Sequence, residues 1–306
     1  MIKRTLYFGN PAYLSMKNAQ LVFRQVDTAS DTEVRTFPIE DLGIVILDNK
    51  QITVTHGLLE RLLENNCAVI TCDSSHMPTG LLLPLEGNSL QSERFRAQID
   101  CSKPLRKKLW QQTVQCKIAN QATVLHELTG AEVGNMRAWV NAVRSGDEGN
   151  LEGRAAVYYW HNLFPEFQGF VRARDGHSPN NLLNYGYAIL RGVVARSLVG
   201  SGLLPTLGIH HHNRYNAYCL ADDVMEPYRP FVDRLVKHIY NEFKNVEELN
   251  VILKRKLLTI PTLDVIIGGK KSPLMVAAGL TTSSLAKCFN GKEKKILYPV
   301  VSQCND

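Results

Sequence analysis

Over the first third of the chain, apolar and polar positions change over in short runs. Thr5–Phe8, Gln20–Gln25, Glu33–Phe37 and Gly43–Leu47 are rich in β-branched and aromatic residues, which predicts strands packed on a half-buried surface. Turn-forming residues separate them at Gly9-Asn10-Pro11, Asp27 to Asp31 and Asp48-Asn49. The period then changes. Leu58, Leu59, Leu62 and Leu63 recur at helical spacing, which predicts a helix over Leu58–Asn65 with Thr55 in position to cap it. A strand at Ala68–Cys72, a loop at Asp73–Pro78 and a last strand at Thr79–Leu85 complete this region.

Past Glu86-Gly87-Asn88 the apolar residues fall at helical period over long stretches: Leu105–Leu128, Val133–Val143, Leu151–Leu163, Asn181–Leu198 and Asp222–Phe243. Strands followed by helices, rather than alternating βαβ units, predict an α+β chain. Its N-terminal β-rich domain spans residues 1–86, and a larger all-α C-terminal domain spans residues 87–306. No internal repeat is visible, and Leu249–Asp306 is the hardest stretch to read.

Composition excludes several classes. Hydrophobic residues make up 44% of the 306 and charged residues 21%, which is globular rather than disordered. The longest apolar runs fall far short of the ~20 residues that span a bilayer, and the basic start at Lys3-Arg4 lacks the apolar core of a signal peptide. The seven cysteines, Cys67, Cys72, Cys101, Cys116, Cys219, Cys288 and Cys304, form no CxxC pair. They read as reduced thiols of a cytoplasmic protein. No GxxxxGK[ST] loop is present, so a P-loop nucleotide site is excluded. A net charge of +6 permits a nucleic-acid partner without requiring one.

Three segments carry candidate chemistry. Glu152 shares its helical stripe with Ala155, Ala156, Tyr159 and Leu163, and a carboxylate on an apolar stripe needs a cation, a proton or strong hydrogen bonds. The bland alternative is a favourable place near the helix N-terminus or an arginine partner. His210-His211-His212 follows Pro205-Thr206-Leu207-Gly208 and is either a polar loop or a metal-ligand source. In the third segment Asp222, Glu226, Arg229 and Asp233 form one polar stripe at steps of four, three and four. Pro227 and Pro230 fit a short break near Glu226 with a new helix after it. Its bland alternative is a Glu226–Arg229 ion pair with Asp222 as a cap. Converging, two carboxylates and an imidazole suit Mg²⁺ or Mn²⁺ with open water positions.

In this order and spacing, the sequence resembles the CRISPR adaptation integrases, the first of the Cas proteins (Cas one). The resemblance is carried by Glu152-Gly153-Arg154-Ala155-Ala156 with Tyr159, by Pro179-Asn180-Asn181-Leu182-Leu183-Asn184-Tyr185-Gly186-Tyr187, by Gly208-Ile209-His210-His211, and by Leu220-Ala221-Asp222-Asp223 through Glu226-Pro227-Tyr228-Arg229-Pro230 to Asp233. It covers essentially the whole chain and looks most like members from type II systems. It implies that Glu152, His211 and Glu226 are the metal ligands and catalytic residues. The family's pattern of Gly, two residues, then His selects His211 over His210 and His212. Asp223 stands one turn before Glu226 as a candidate accessory ligand. Some relatives have Asp where this chain has Glu226, an equally hard oxygen donor.

The resemblance further implies a metal-dependent integrase of spacer acquisition. Such an enzyme joins the 3′-hydroxyl ends of short foreign DNA fragments to a CRISPR repeat by transesterification, without ATP. The expected partners are double-stranded DNA, a second copy of the chain, a dimer of the second Cas protein (Cas two) bridging two integrase dimers, and an RNA-guided effector nuclease. Arg106-Lys107-Lys108, Lys254-Arg255-Lys256 and Lys270-Lys271 are either a phosphate track or plain solvated surface. The competing readings are an endonuclease or phosphodiesterase that hydrolyses DNA at the same ligands, a DNA scaffold with a dead site, and a zinc site on the histidine triplet.

Overall fold

The computed structural model describes residues 3–25, 34–167, 169–173, 178–243 and 246–301 of the chain. They fall into two compact units, Met1–Ser89 and Leu90–Asp306. The N-terminal unit holds two four-stranded sheets. In the first, β1 (Arg4–Phe8), β5 (Leu42–Leu47) and β7 (Ala68–Cys72) run parallel, and β8 (Pro78–Leu82) returns antiparallel to β7. The second has the order β4 (Val34–Pro38), β3 (Gln20–Gln25), β2 (Ala12–Lys17), β6 (Ile52–Val54). Five of the six residues of β5 are buried, as expected of a parallel strand covered on both faces. Phe8, Ala12, Leu14, Leu21, Leu42 and Val69 from both sheets share one core with Leu58 and Leu62 of helix α1 (His56–Glu64).

Two strands of this unit escape the sequence reading. β2 pairs with β3 through the turn residues Asn18 and Ala19, both at positive φ (50° and 57°). An alanine at a left-handed position, where glycine is usual, hides the hairpin. β6 is only three residues long. Thr55 holds the N-cap of α1 in extended conformation without a side-chain cap bond. One right-sized crossover, from β5 through β6 and α1 to β7, also departs from the expected segregation of strands and helices. The expected turn at Asp27–Asp31 and the strand residue Glu33 lie outside the described residues.

The second unit is helical. α2 (Gln91–Ile99), α3 (Lys103–Thr129), α4 (Gly134–Ala142), α5 (Leu151–Leu163), α6 (Asn180–Gly200), α7 (Cys219–Met225), α8 (Arg229–Phe243), α9 (Val251–Leu257) and α10 (Leu274–Phe289) follow in chain order. A two-stranded antiparallel ribbon, β9 (Asp264–Ile267) and β10 (Lys270–Pro273), is added between α9 and α10. The ribbon turns on Gly268 and Gly269, both at positive φ, a Gly-Gly hairpin signal that the sequence carried openly. α10 went unread because Gly279, Thr281, Thr282, Ser283 and Ser284 have low helix propensity. Three of the hydroxyls bond inside the fold: Thr281 donates to the Leu297 carbonyl at 2.6 Å, Thr282 to the Ser197 carbonyl at 3.1 Å and Ser284 to the Thr281 carbonyl at 2.8 Å.

α3 is the spine. Ser102 caps it, Pro104 stands in its first turn, and Gly130 ends it in left-handed conformation. Its buried face is not purely apolar. Thr113 meets Tyr298 at 2.8 Å, and Asn120 donates to the carbonyls of Pro227 and Pro299. α6 is buried along most of its length. Gly186 lets α8 approach it, because a Cβ there would stand 2.6 Å from Val232 Cγ1. Tyr159 of α5 and Tyr187 of α6 both donate to Asp233 of α8, at 3.0 and 2.5 Å. Among the described residues no helix is long and apolar enough to cross a membrane, and the six described cysteines are all thiols.

Asp233 yields a pH prediction. Burial raises its carboxyl from 3.8 to about 7, against the lowering effect of the two tyrosine hydrogen bonds and of Arg172 and Arg229. The folded state therefore holds a proton that the unfolded chain has lost between about pH 4 and 7. That contribution is complete below pH 4 and is lost as the pH rises through 7. A shift of this size is worth about 4 kcal/mol. In urea unfolding from pH 4 to 8, wild type should lose stability relative to Asp233→Asn by an amount of that order. Parallel pH curves would show that Asp233 folds already ionised.

Candidate metal-binding active site

Each candidate side chain is placed by local structure that the sequence specifies. Glu152 is the second residue of α5. Asp147 accepts from the N–H groups of Leu151 and Glu152 at 3.0 Å each, and the Asn150 cap accepts from Gly153 at 3.2 Å. These bonds satisfy the amides that a helix start leaves open. Ala155, Tyr159 and Leu163 are fully buried on the same stripe, while Glu152 keeps partial exposure.

Glu226 opens a single 3₁₀ turn, Glu226–Tyr228, between α7 and α8. The two prolines enforce this break. Pro227 stands at the start of the turn and Pro230 in the first turn of α8, positions where the missing amide is not needed. Asn120 of α3 fastens the turn through the Pro227 carbonyl at 2.8 Å. The polar stripe of this segment is itself buried. Glu226 pairs with Arg229 at 3.0 Å. Asp222 is no cap; it takes Arg191 of α6 at 2.7 Å and Asn216 at 2.7 Å.

The histidine loop is held from three sides. Gln98 of α2 donates to the carbonyls of Leu204 and Leu207 and accepts from the Leu204 amide. His210 stacks on Trp110 of α3 with ring centres 4.1 Å apart. Asp223 of α7, fully buried, accepts from the amides of His210 and His211 and from Nδ1 of His211. Both of its oxygens are thus engaged in holding the loop. With Nδ1 committed, Nε2 is the nitrogen of His211 left for a ligand. His212 is exposed.

Lys117, absent from the sequence reading, lies at the centre. Its ammonium is 2.6 Å from Glu152 Oε1 and 2.6 Å from Glu226 Oε2, with only 10% of its side chain exposed. The cation that Glu152 requires is therefore this lysine and not an arginine. The signal was in the sequence: Lys117 falls seven residues after Trp110, three after Val114 and eight before Leu125. It is a charge on an apolar stripe, the same anomaly as Glu152.

The electrostatics follow from this crowding. Burial works against ionised Glu226, but Arg229 and Lys117 outweigh it and hold its carboxyl below the usual range. Burial likewise works against the Lys117 ammonium, and Glu226 and Glu152 more than offset it, so its pKa is raised. The Asp223 hydrogen bond raises His211 despite partial burial, and Glu226 and Glu152 add to the effect. Burial and the neighbouring His211 lower His210.

Among the described residues, no three His, Cys, Asp or Glu side chains stand grouped to hold a metal ion as they are. Three observations nevertheless fit a divalent cation at Glu152, His211 and Glu226. An ammonium already bridges the two carboxylates. Glu226 Oε2 is buried with no well-directed hydrogen bond, although the Lys117 ammonium is 2.6 Å away. The donor set of two carboxylates and one oriented imidazole is the kind that Mg²⁺ and Mn²⁺ take. A cavity of about 430 Å³ opens beside His211, lined by Arg106, Thr206, Gly208, His212 and Arg214. Within the basic runs, Lys107 pairs with Glu148, Lys256 with Glu242 and Lys271 with Asp264, Lys254 is buried, and Lys108, Arg255 and Lys270 are exposed.

The family model for CRISPR associated protein Cas1 matches residues 6–256. A CRISPR-associated endonuclease Cas1 from Neisseria meningitidis serogroup C is 38% identical over 260 residues, which is 84% of this chain and 83% of that protein. Another from Francisella tularensis subsp. novicida is 25% identical over 81% of this chain and 82% of its own. Among solved structures, a casposase bound to integration product superposes with a TM-score of 0.80 at 20% identity, over 97% of this chain and 92% of that one. A Cas1 protein from Thermotoga maritima gives 0.76 at 16%, over 95% and 98%.

The loop geometry makes a paired prediction. A Cβ on Gly208 would stand 2.4 Å from the His211 carbonyl and 2.8 Å from Asp223 Oδ2, whereas one on Gly279, inside α10, meets nothing within 4 Å. Gly208→Ala should cost about 1–3 kcal/mol, and Gly279→Ala should gain about 0.5–1 kcal/mol. Urea midpoints of the two variants check both signs.

Proposed function

The chain belongs to the Cas1 family of CRISPR-associated proteins, and from that premise we propose that it is a metal-dependent DNA integrase of spacer acquisition. It joins the 3′-hydroxyl of a short foreign DNA fragment to a phosphodiester of the CRISPR repeat. The observation that carries this reading is one ammonium shared by the Glu152 and Glu226 carboxylates, both near enough to His211 to raise its pKa, with His211 oriented by Asp223.

The residues divide the work. Glu152 and Glu226 offer carboxylate oxygens, and His211 offers Nε2, as ligands to Mg²⁺ or Mn²⁺. Such an ion polarises a phosphoryl oxygen and helps to orient an attacking hydroxyl. Asp223 fixes the imidazole tautomer and ring plane, and Arg229 keeps Glu226 ionised in its buried place. In the reaction the fragment's 3′-oxygen bonds to phosphorus as the bond from phosphorus to the repeat strand's 3′-oxygen breaks. One phosphodiester replaces another, so no ATP is consumed and the reverse reaction on branched DNA is open to the same site. Water in place of the hydroxyl would turn the same geometry to hydrolysis.

In this account residues 87–306 bind DNA and carry the chemistry. Residues 1–86 serve dimerisation and contact with a dimer of the second Cas protein that bridges two integrase dimers; an RNA-guided effector nuclease is a further partner, in the cytoplasm. The Cas2 partner is supported by the fold likeness to a Cas6-RT-Cas1–Cas2 complex, with a TM-score of 0.72 over 96% of this chain and 35% of that one.

The test is strand transfer on a branched DNA that mimics a half-integrated fragment, with the full chain and Mn²⁺. Wild type should reseal the branch. Glu152→Ala, His211→Ala and Glu226→Ala should each reduce resealing by about 100-fold or more. Shortened strands, lost in the same variants, would make the enzyme a hydrolytic nuclease instead. Resealing that survives Glu226→Ala would overturn the assignment of the site.

A further inference from the structure

We propose that Lys117 is the internal counter-ion of this site: it holds the Glu152 and Glu226 carboxylates together in the metal-free protein and gives up both when a divalent cation binds. The proposal rests on the reading of Glu152 and Glu226 as metal ligands and adds a residue and a step to it.

The geometry is that of a cation seat already filled. One ammonium contacts Glu152 Oε1 and Glu226 Oε2 at 2.6 Å each, and Arg229 meets the other oxygen of Glu226 at 3.0 Å. Two carboxylates are balanced by two cations, so the metal-free cluster is neutral. Without Lys117, the buried Glu226 and the partly buried Glu152 would face each other with one partner between them, a costly arrangement. Lys117 reaches them from mid-α3, where Trp110, Val114 and Ile118 of the same helix are buried around it. The helix delivers the charge to one point.

The contact is also exchangeable. Glu226 Oε2 has no well-directed hydrogen bond although the ammonium is in contact. Charge rather than a directional bond holds that side, and a doubly charged ion competes well for such an oxygen. Ammonium and divalent ion cannot use the same two oxygens together, because like charges in contact at a buried site repel strongly. Binding of the ion therefore includes the displacement of Lys117. The flexible four-carbon stem of lysine lets its ammonium move without moving α3. The displaced charge then lies beside the site where a phosphate would enter. Metal and DNA should accordingly bind more tightly together than either does alone.

The experiment is Mn²⁺ titration followed by electron paramagnetic resonance, with thermal unfolding in parallel. It uses the full chain as wild type, Lys117→Met, Lys117→Arg and Glu226→Ala. The expected result has three parts. Lys117→Met binds Mn²⁺ at least about tenfold more tightly than wild type, since it has no competitor to displace. Its melting temperature is lower than wild type without Mn²⁺ and recovers with it. Lys117→Arg keeps wild-type melting without Mn²⁺ and gains no affinity. If Lys117→Met does not fold in the absence of metal, refolding in Mn²⁺ should rescue it, and failure to do so overturns the proposal. Equal or weaker Mn²⁺ binding by Lys117→Met, with Glu226→Ala still abolishing binding, overturns the counter-ion role and leaves the metal site standing. Mn²⁺ binding that is indifferent to Glu226→Ala overturns the site itself, and the proposal with it.

Discussion

Lys117 reaches from the middle of α3 to touch a carboxylate on α5 and another at the α7–α8 break, each at 2.6 Å. Much of the helical unit is arranged around that pair of contacts. A carboxylate is tolerated at the buried Glu226 position only because two cations meet it. A lysine is tolerated in the buried face of α3 only because two carboxylates meet it. Neighbouring polar residues of the same helix serve the same place: Asn120 pins the turn that presents Glu226, and Trp110 supports the loop that presents His211.

The site combines parts that are fixed with one that can exchange. His211 is fixed: Asp223 is fully buried, binds two backbone amides of the loop as well as the ring, and leaves no room for a side chain at Gly208. The starts of α5 and of the 3₁₀ turn are likewise fixed, by Asp147 with Asn150 and by the prolines. What lies between the carboxylates is held by a hydrogen bond to Glu152 and by charge alone to Glu226. This division suits the proposed integrase, whose ligands would keep their places while cation and nucleic acid come and go.

Much of this was legible in the residues. The break at Pro227 and Pro230, the anomaly of Glu152 on an apolar stripe and the order of strands before helices all follow from local rules, and the structure has them. The motifs that named the family also named the three candidate ligands. What stayed hidden has physical causes. The β2–β3 hairpin turns on an alanine at positive φ instead of glycine. The middle of α10 is a run of poor helix formers, of which Thr281 and Thr282 bond to distant carbonyls. α2 is a polar helix whose buried Gln98 supports the histidine loop across more than a hundred residues of sequence. Lys117 was legible in principle, by the test applied to Glu152. Its partners lie 35 residues away and, in Glu226, far further along the chain, so spacing alone could not pair them.

The central claim is that one cation position is shared by Glu152, Glu226 and His211. Anomalous diffraction from crystals of the full chain soaked in Mn²⁺ tests it most directly. The account predicts one strong manganese peak bounded by those three side chains, with the Lys117 ammonium moved away from both carboxylates. A peak elsewhere, or a tightly held zinc on His210 and His212 with Lys117 still between the carboxylates, would contradict it.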